Sequence, residues 1–322
     1  MTSLDDIRQA AERLSPVVVN TPLISSPALD EAVGGTVLLK AENLQRTGSF
    51  KIRGAYNLLC QLTPEQAKCG AVAYSSGNHA QAVAAAGTML GIETTIVMPK
   101  DAPAVKIENT RRLGGTTVLY DRYTEDREQI ARGIAEERGA VLVPPYNHDD
   151  IIAGQGTAGL EIVAQCEALG LTPDQVLVCC SGGGLTAGCA VAVKSQLPDT
   201  DMLAVEPEDF DDTRRSLASG QLEGNDPNAR TICDALMSAP PGEKTFAINR
   251  ELLSGALLVS DEDVRAAIGF AFRTLKLVVE PGGAAALAAV LAGKSDFRDK
   301  VTVAILSGGN IDAGLFAKIL AD

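Results

Sequence analysis

Lys51 lies in the run Thr47-Gly48-Ser49-Phe50-Lys51-Ile52-Arg53-Gly54-Ala55, between a strand-like segment, 36–40, and a helix-like one, 55–59. An amine at the mouth of a helix loses hydration and faces the positive end of the helix dipole. Both effects penalise the ammonium and favour the free amine, which is the form a carbonyl compound needs for Schiff-base formation. The plainer reading is a surface lysine beside a turn. Three other stretches are small-residue loops that each follow an apolar run and precede a helical one: Ser75-Ser76-Gly77-Asn78-His79, Ser181-Gly182-Gly183-Gly184-Leu185 and Ser307-Gly308-Gly309-Asn310. Consecutive glycines at a helix N-terminus let backbone amides converge on a phosphate, although close helix–strand packing selects the same letters. The spacing is neither G-x-G-x-x-G nor G-x-x-x-x-G-K-[ST], so a dinucleotide or a P-loop triphosphate fits poorly.

Strand and helix must alternate to hold these loops at one edge. Strand-like runs at 71–74, 93–98, 117–120 and 140–143 are separated by helix-like runs at 80–90, 104–113 and 126–138. A second series has a helix over 159–169, a strand over 176–180, a helix entered through 181–185, and a strand over 202–205. A helix capped by Ser260 and Asp263, a helix over 284–292 and a strand over 301–306 complete it. This alternation predicts parallel sheets flanked by helices, with ligands beyond the carboxyl ends of the strands. Segment 221–250 shows no readable regular structure, and no domain is expected beyond the last helix.

The chain has 322 residues and 46% hydrophobic content, enough for a large core and about two lobes. Its formal charge of -13, with no basic patch, argues against nucleic acid. Seven cysteines without a C-x-x-C pair fit buried thiols in a reducing compartment, and two histidines exclude a histidine-rich zinc site. Residues 1–14 form a charged amphipathic segment with Ser3 and Asp6 set as a capping box, not the apolar core of a signal peptide. No run approaches membrane-spanning length, so a cytoplasmic protein with no membrane association is expected.

A phosphate cradle, an activated lysine and no redox metal ligands together suggest pyridoxal phosphate. The four stretches 49–55, 75–81, 181–185 and 307–310, with Ala153-Gly154-Gln155-Gly156-Thr157 and Glu280-Pro281-Gly282-Gly283-Ala284, closely resemble the serine/threonine dehydratase and serine racemase family. That family is the fold-type II class of pyridoxal phosphate enzymes, tryptophan synthase β-like. The resemblance runs from the first helix to the last in matching order. It implies a two-lobed α/β enzyme with a small mobile lobe at 70–146 and a large cofactor-binding lobe from 1–69 and 147–322. It also implies a homodimer.

By the same resemblance, Lys51 holds the cofactor aldehyde and, once released, removes the substrate's α-proton. Phe50 stacks on the pyridine ring, Asn78 bonds the ring hydroxyl, and Gly182, Gly183, Gly184 and Leu185 donate amides to the phosphate. Ser307 faces the ring nitrogen. A hydroxyl there, unlike a carboxylate, leaves the ring neutral and a moderate electron sink, which suits β-elimination. The cofactor phosphate is the expected proton donor to the leaving hydroxyl. Ser75, Ser76 and Gln81 line the substrate carboxylate. Ser76 is either a second base on the opposite face of the α-carbon, giving racemisation, or a loop-capping hydroxyl. Arg127 matches an arginine that meets substrate oxygens in the racemase branch; the alternative is a solvated residue opening an exposed helix.

The implied reaction is dehydration and deamination of L-threonine or L-serine to a 2-oxo acid and ammonia, with serine racemase activity as the alternative. Pro144-Pro145-Tyr146-Asn147 replaces the His-Pro of many relatives. That departure opens the way to 3-hydroxyaspartate, through Arg127, or to phenylserine. Glu206 and Asp212, with the Phe210 carbonyl, resemble a divalent-cation loop suited to magnesium or calcium; the plainer reading is an acidic turn capping the next helix.

Overall fold

The computed structural model describes residues 1–102, 104–237 and 240–321. Ten strands appear in chain order: β1 (Leu23–Ser25), β2 (Thr36–Lys40), β3 (Ala71–Tyr74), β4 (Thr94–Pro99), β5 (Thr116–Tyr120), β6 (Val141–Leu142), β7 (Gln175–Cys179), β8 (Asp201–Pro207), β9 (Gly255–Val259) and β10 (Val301–Ile305). They form a six-stranded sheet, β1-β2-β10-β7-β8-β9, and a four-stranded sheet, β5-β4-β3-β6. Every pairing among them is parallel except β1 with β2. The molecule is therefore the α/β architecture that the alternation predicts, and the smaller sheet comes wholly from residues between Ala71 and Leu142.

Both faces of the central strands of the larger sheet are buried, so their middles are continuous apolar runs, such as Val37-Leu38-Leu39 and Val176-Leu177-Val178, instead of alternating. Val37, Leu39, Leu177, Val205 and Ala304 face helices Asp261–Phe270 and Pro281–Leu291. Their neighbours Leu38, Val176, Val178, Val303 and Ile305 face helices Asp149–Ala168 and Gly184–Lys194. Capping boxes at Ser3, Thr63 and Ser260 start three helices where the sequence sets them. Among the described residues, no helix is long and apolar enough to cross a membrane.

Three segments differ from the sequence reading. Helix Asp149–Ala168 begins ten residues before 159 and takes in the glycine-bearing run 153–157. Those glycines are packing surfaces: a Cβ on Gly154 would lie 2.5 Å from the Arg53 carbonyl oxygen and 2.8 Å from Gly54 Cα. On the opposite side, a Cβ on Gly188 would lie 2.6 Å from the Gly156 nitrogen. This helix therefore meets helix Lys51–Leu59 and helix Gly184–Lys194 backbone to backbone. Helix Glu243–Leu252 and β9 occupy chain with no readable pattern or no assigned element. The segment after Ser260 is an α-helix followed by a π turn, Ala271–Leu275, which stops at Lys276 in the left-handed region (φ 61°).

A buried ionic cluster locks the lysine-bearing helix in place. Arg53 bonds Glu42 (2.8 Å) and Glu161 (2.7 Å), and Lys40 bonds Glu161 (2.6 Å). Glu42 also accepts from Thr21, and Arg53 donates to Thr157. The cluster ties β2, helix Lys51–Leu59 and helix Asp149–Ala168 together two residues beyond Lys51. Removing one member would strand an uncompensated buried charge.

Candidate active site

Lys51 is the first residue of helix Lys51–Leu59, and Phe50 is its cap. The preceding turn is stitched to the loop after β10: Ser49 pairs with Gly308, and the Phe50 amide donates to the Ser307 carbonyl (3.2 Å). The Lys51 amine donates to the Pro145 carbonyl (2.9 Å) and lies 5.0 Å from the Phe50 ring centroid. Burial pulls its pKa down to about 8, against the opposing influence of Cys179 and Glu280. That makes roughly a tenth of it free amine at pH 7 and about half at pH 8, the form a Schiff-base lysine requires.

Across the cleft, β7 ends at Cys179 and the chain turns through Ser181, Gly182 and Gly183 into helix Gly184–Lys194. Gly183 occupies the left-handed region (φ 86°), where a side chain would be strained and would press on Asn249 and Thr245. A Cβ on Gly182 would fall within the Tyr146 ring, and one on Gly184 would meet the Gln155 side-chain oxygen at 2.5 Å. The loop is thus built of glycine because protein closes on it from three sides. The amides of Gly182, Gly183, Gly184 and Leu185 meet no acceptor among the described residues, so four donors at a helix N-terminus face the cleft.

Ser307 is 5% exposed, and its hydroxyl oxygen accepts from the Cys179 thiol (3.1 Å). Burial pushes that thiol up to about 11, which keeps it protonated and a donor. Asn78 opens helix Asn78–Leu90, but Gly77 is the cap, so the side chain of Asn78 is free for other work. It donates to Glu280 (2.5 Å) and accepts from Asn310 (2.7 Å). The Ser75 hydroxyl accepts the Gly77 amide (3.2 Å). Ser76, Gln81 and Arg127 all line the same cleft, which is partly open to solvent. Arg127 begins a helix capped by Asp126, and its guanidinium lies 5.8 Å from the Tyr74 ring centroid. It is an exposed residue at the edge of the cleft, so both readings of it stay open.

Glu206, Phe210 and Asp212 lie outside this cleft, at the end of β8, in the turn after it and at the start of helix Asp212–Ser219. Both Glu206 oxygens accept backbone amides, from Thr213 (2.9 Å) and Arg214 (2.8 Å), as a helix cap would. Asp212 accepts from Asn225 (2.6 Å) through one oxygen; the other is buried without a partner among the described residues. Burial, with Asp212 adding repulsion, pushes Glu206 up to about 7, and burial pushes Asp212 up to about 6. Phe210 is buried beside them. Among the described residues there is no metal-holding cluster of three His, Cys, Asp or Glu side chains, so a cation here would rest on the carboxylates and the Phe210 carbonyl.

Among the lining residues with no role assigned from sequence are Glu280, Cys179, Lys106 and Asp234, the last two paired at 2.6 Å. Glu280 had a readable signal. It caps helix Pro281–Leu291, whose first ten residues are buried on every side, so its carboxyl had to be buried and partnered as well. Lys106 and Asp234 sit in ordinary polar contexts.

A model of the family described as pyridoxal-phosphate dependent enzyme matches residues 14–308. Over 320 residues the chain is 44% identical to an L-threo-3-hydroxyaspartate ammonia-lyase of a Pseudomonas species, covering 99% of each chain. Among solved structures, a T.th. threonine deaminase superposes with a TM-score of 0.91 at 44% identity, over 96% of this chain and 99% of that one. A maize serine racemase superposes with a TM-score of 0.93 at 38% identity, over 99% and 97% of the two chains.

Proposed function

We propose, since the chain belongs to the family of pyridoxal-phosphate dependent enzymes, that it removes the β-hydroxyl of a β-hydroxy amino acid and releases a 2-oxo acid and ammonia. One observation carries this reading: an enclosed amine, four acceptor-free amides and a buried serine hydroxyl share one cleft. These residues fit pyridoxal phosphate. The amides at residues 182–185 suit its phosphate, Lys51 its aldehyde, Phe50 its ring face, Asn78 its ring oxygen and Ser307 its ring nitrogen.

When bound, the cofactor supplies a sink for the electron pair left at the α-carbon. Lys51 does the proton work: its free amine, held near the cleft wall by the Pro145 carbonyl, takes the α-proton. Ser307 offers the ring nitrogen a hydroxyl and no charge. The Cys179 thiol occupies the Ser307 oxygen as a donor, which turns the serine's own proton toward the cleft. Ser75, Ser76 and Gln81, around the N-terminus of helix Asn78–Leu90, receive the substrate carboxylate. Residues 70–146 form the mobile lobe whose closure excludes water, and 1–69 with 147–322 form the cofactor-binding lobe.

L-Threonine and L-serine are the default substrates. A second reading, a β-carboxylate as in 3-hydroxyaspartate, is favoured by Arg127 and Lys106 lining the cleft beside Tyr146. The name of the Pseudomonas relative agrees with it. Ser76 as a second base would add racemisation. The protein acts as a cytoplasmic homodimer on this reading, and Glu206, Asp212 and the Phe210 carbonyl take a magnesium or calcium ion. The orphaned Asp212 oxygen is the donor that fits such an ion.

The test is 2-oxo acid release from L-serine, L-threonine, L-threo-3-hydroxyaspartate and phenylserine. Release from one or more of them, lost in Lys51→Ala, is the expected result; no release from any refutes the elimination. In Arg127→Ala, KM for 3-hydroxyaspartate should rise at least about tenfold while KM for L-serine moves little. Equal changes for both refute the dicarboxylate reading. Formation of D-serine from L-serine tests Ser76.

A further inference from the structure

Glu280 is a buried carboxyl group in the cleft wall that the elimination does not use. It is 5% exposed, and its side chain is pressed against the backbone: a Cβ on Gly308 would collide with it. Among the described residues, its side chain takes a hydrogen bond from Asn78 Nδ2, at 2.5 Å. The opposite end of the same amide is also committed, since Asn78 Oδ1 accepts from Asn310 Nδ2 (2.7 Å), which is itself anchored on the Thr47 carbonyl (2.7 Å). Turning the Asn78 amide over would set its oxygen against the Glu280 oxygen and its NH2 against that of Asn310. Both contacts would become repulsive, so the amide has one orientation. Its Nδ2 carries a second hydrogen with no acceptor among the described residues.

We infer that Glu280 is a positioning residue: by taking one Asn78 Nδ2 hydrogen it presents the other to the cleft, and its charge state sets how readily an oxygen bonded there becomes an anion. The inference rests on the proposed placement of the cofactor's ring oxygen at Asn78. An ionised Glu280 one amide away disfavours negative charge on that oxygen; a neutral one removes the penalty. The groups facing Glu280 come from every side: Lys51, Lys106 of helix Ala104–Arg112, Asp234, and the Cys179 thiol at the end of β7. Burial pushes Glu280 up to about 7, opposed by the Asn78 hydrogen bond, with Asp234 raising it and Lys106 and Lys51 lowering it. Its protonation therefore changes within the range in which such an enzyme works.

Two substitutions separate the roles. Glu280→Gln keeps an oxygen acceptor for Asn78 and removes the charge. The holoenzyme should keep its pyridoxal phosphate dissociation constant within about threefold, while the pH midpoint of its visible absorption band falls by about one unit. Glu280→Ala removes the acceptor too, and the dissociation constant should rise about tenfold, the effect of one lost hydrogen bond. If Glu280→Ala does not fold, Asn310→Ala releases the other end of the amide and should weaken cofactor binding comparably. An unmoved midpoint in Glu280→Gln, or unchanged affinity in the folded alanine variant, overturns the inference. A wild-type protein that binds no pyridoxal phosphate overturns the functional reading, and with it this inference. A wild-type holoenzyme with unresponsive variants overturns the inference alone.

Discussion

Gly154→Ala probes the contact that places Lys51. The added methyl carbon would sit 2.5 Å from the Arg53 carbonyl oxygen and 2.8 Å from Gly54 Cα. It falls short of ordinary contact by roughly 1 Å, and both neighbours are backbone that no side-chain rotation can move. Helix Lys51–Leu59 must therefore shift against helix Asp149–Ala168 by most of that distance. Overpacking of this kind costs about 1–3 kcal/mol, and the better helix propensity of alanine returns up to about 1 kcal/mol. The expected net effect is a melting temperature lower by up to about 4 °C. Because Lys51 lies three residues before Gly54, a displacement near 1 Å should also lower kcat by up to about 100-fold.

The control is Gly133→Ala in helix Arg127–Arg138, where a Cβ meets nothing within 4 Å. That change should stabilise by about 0.4–1 kcal/mol through the unfolded chain alone. Differential scanning calorimetry of both variants, with cofactor titration, checks the pair. A Gly154→Ala protein that melts at or above the wild type refutes the backbone-contact argument.

Three further outcomes are expected. Arg53→Met leaves Glu42 and Glu161 without their guanidinium and should cost roughly 3–5 kcal/mol, read from urea unfolding; a loss below about 1 kcal/mol would show that the cluster relaxes or takes up protons. His79 is held down to about 3, by burial first and by Lys51 second, while its Nε2 meets the Val143 carbonyl. The unfolded chain binds that proton from about pH 6.5 downward, so stability should fall as pH drops from about 6.5 toward 3, and His79→Gln should flatten that slope. Equal slopes in both proteins would remove His79 from the account. Magnesium or calcium should raise the melting temperature of the wild type and not of Asp212→Asn; equal behaviour of the two would leave the acidic turn as a helix cap.

The alternation of strands and helices was legible because strands buried on both faces leave unbroken apolar runs such as 176–180, and because capping boxes mark helix starts. Helix Asp149–Ala168 was misread in its first half for a physical reason. Gly154 and Gly156 lower helix propensity, and the compensation is tertiary, in contacts with Gly54 and Gly188 that no local window contains. β9 runs Gly255-Ala-Leu-Leu-Val259 with most positions half-buried, a pattern that its edge place in the sheet explains and its composition does not announce. At the site, Lys51, the glycine loop and Ser307 were legible as small-residue motifs at strand ends. Cys179 matters through Ser307, 128 residues away, which nothing local signals; the buried helix after Glu280 signals a buried carboxyl, but not that its partner is Asn78, 202 residues away.

β10 lies between β2 and β7, in the middle of the larger sheet, although it is translated after both. A nascent chain leaving the ribosome therefore carries the lysine turn and the glycine loop long before the strand that joins them exists. The Ser49–Gly308 bridge joins residues 259 apart in a chain of 322, so the turn and the loop meet only late in vectorial synthesis. The cleft takes its final form only when this central slot is filled from the C-terminal side.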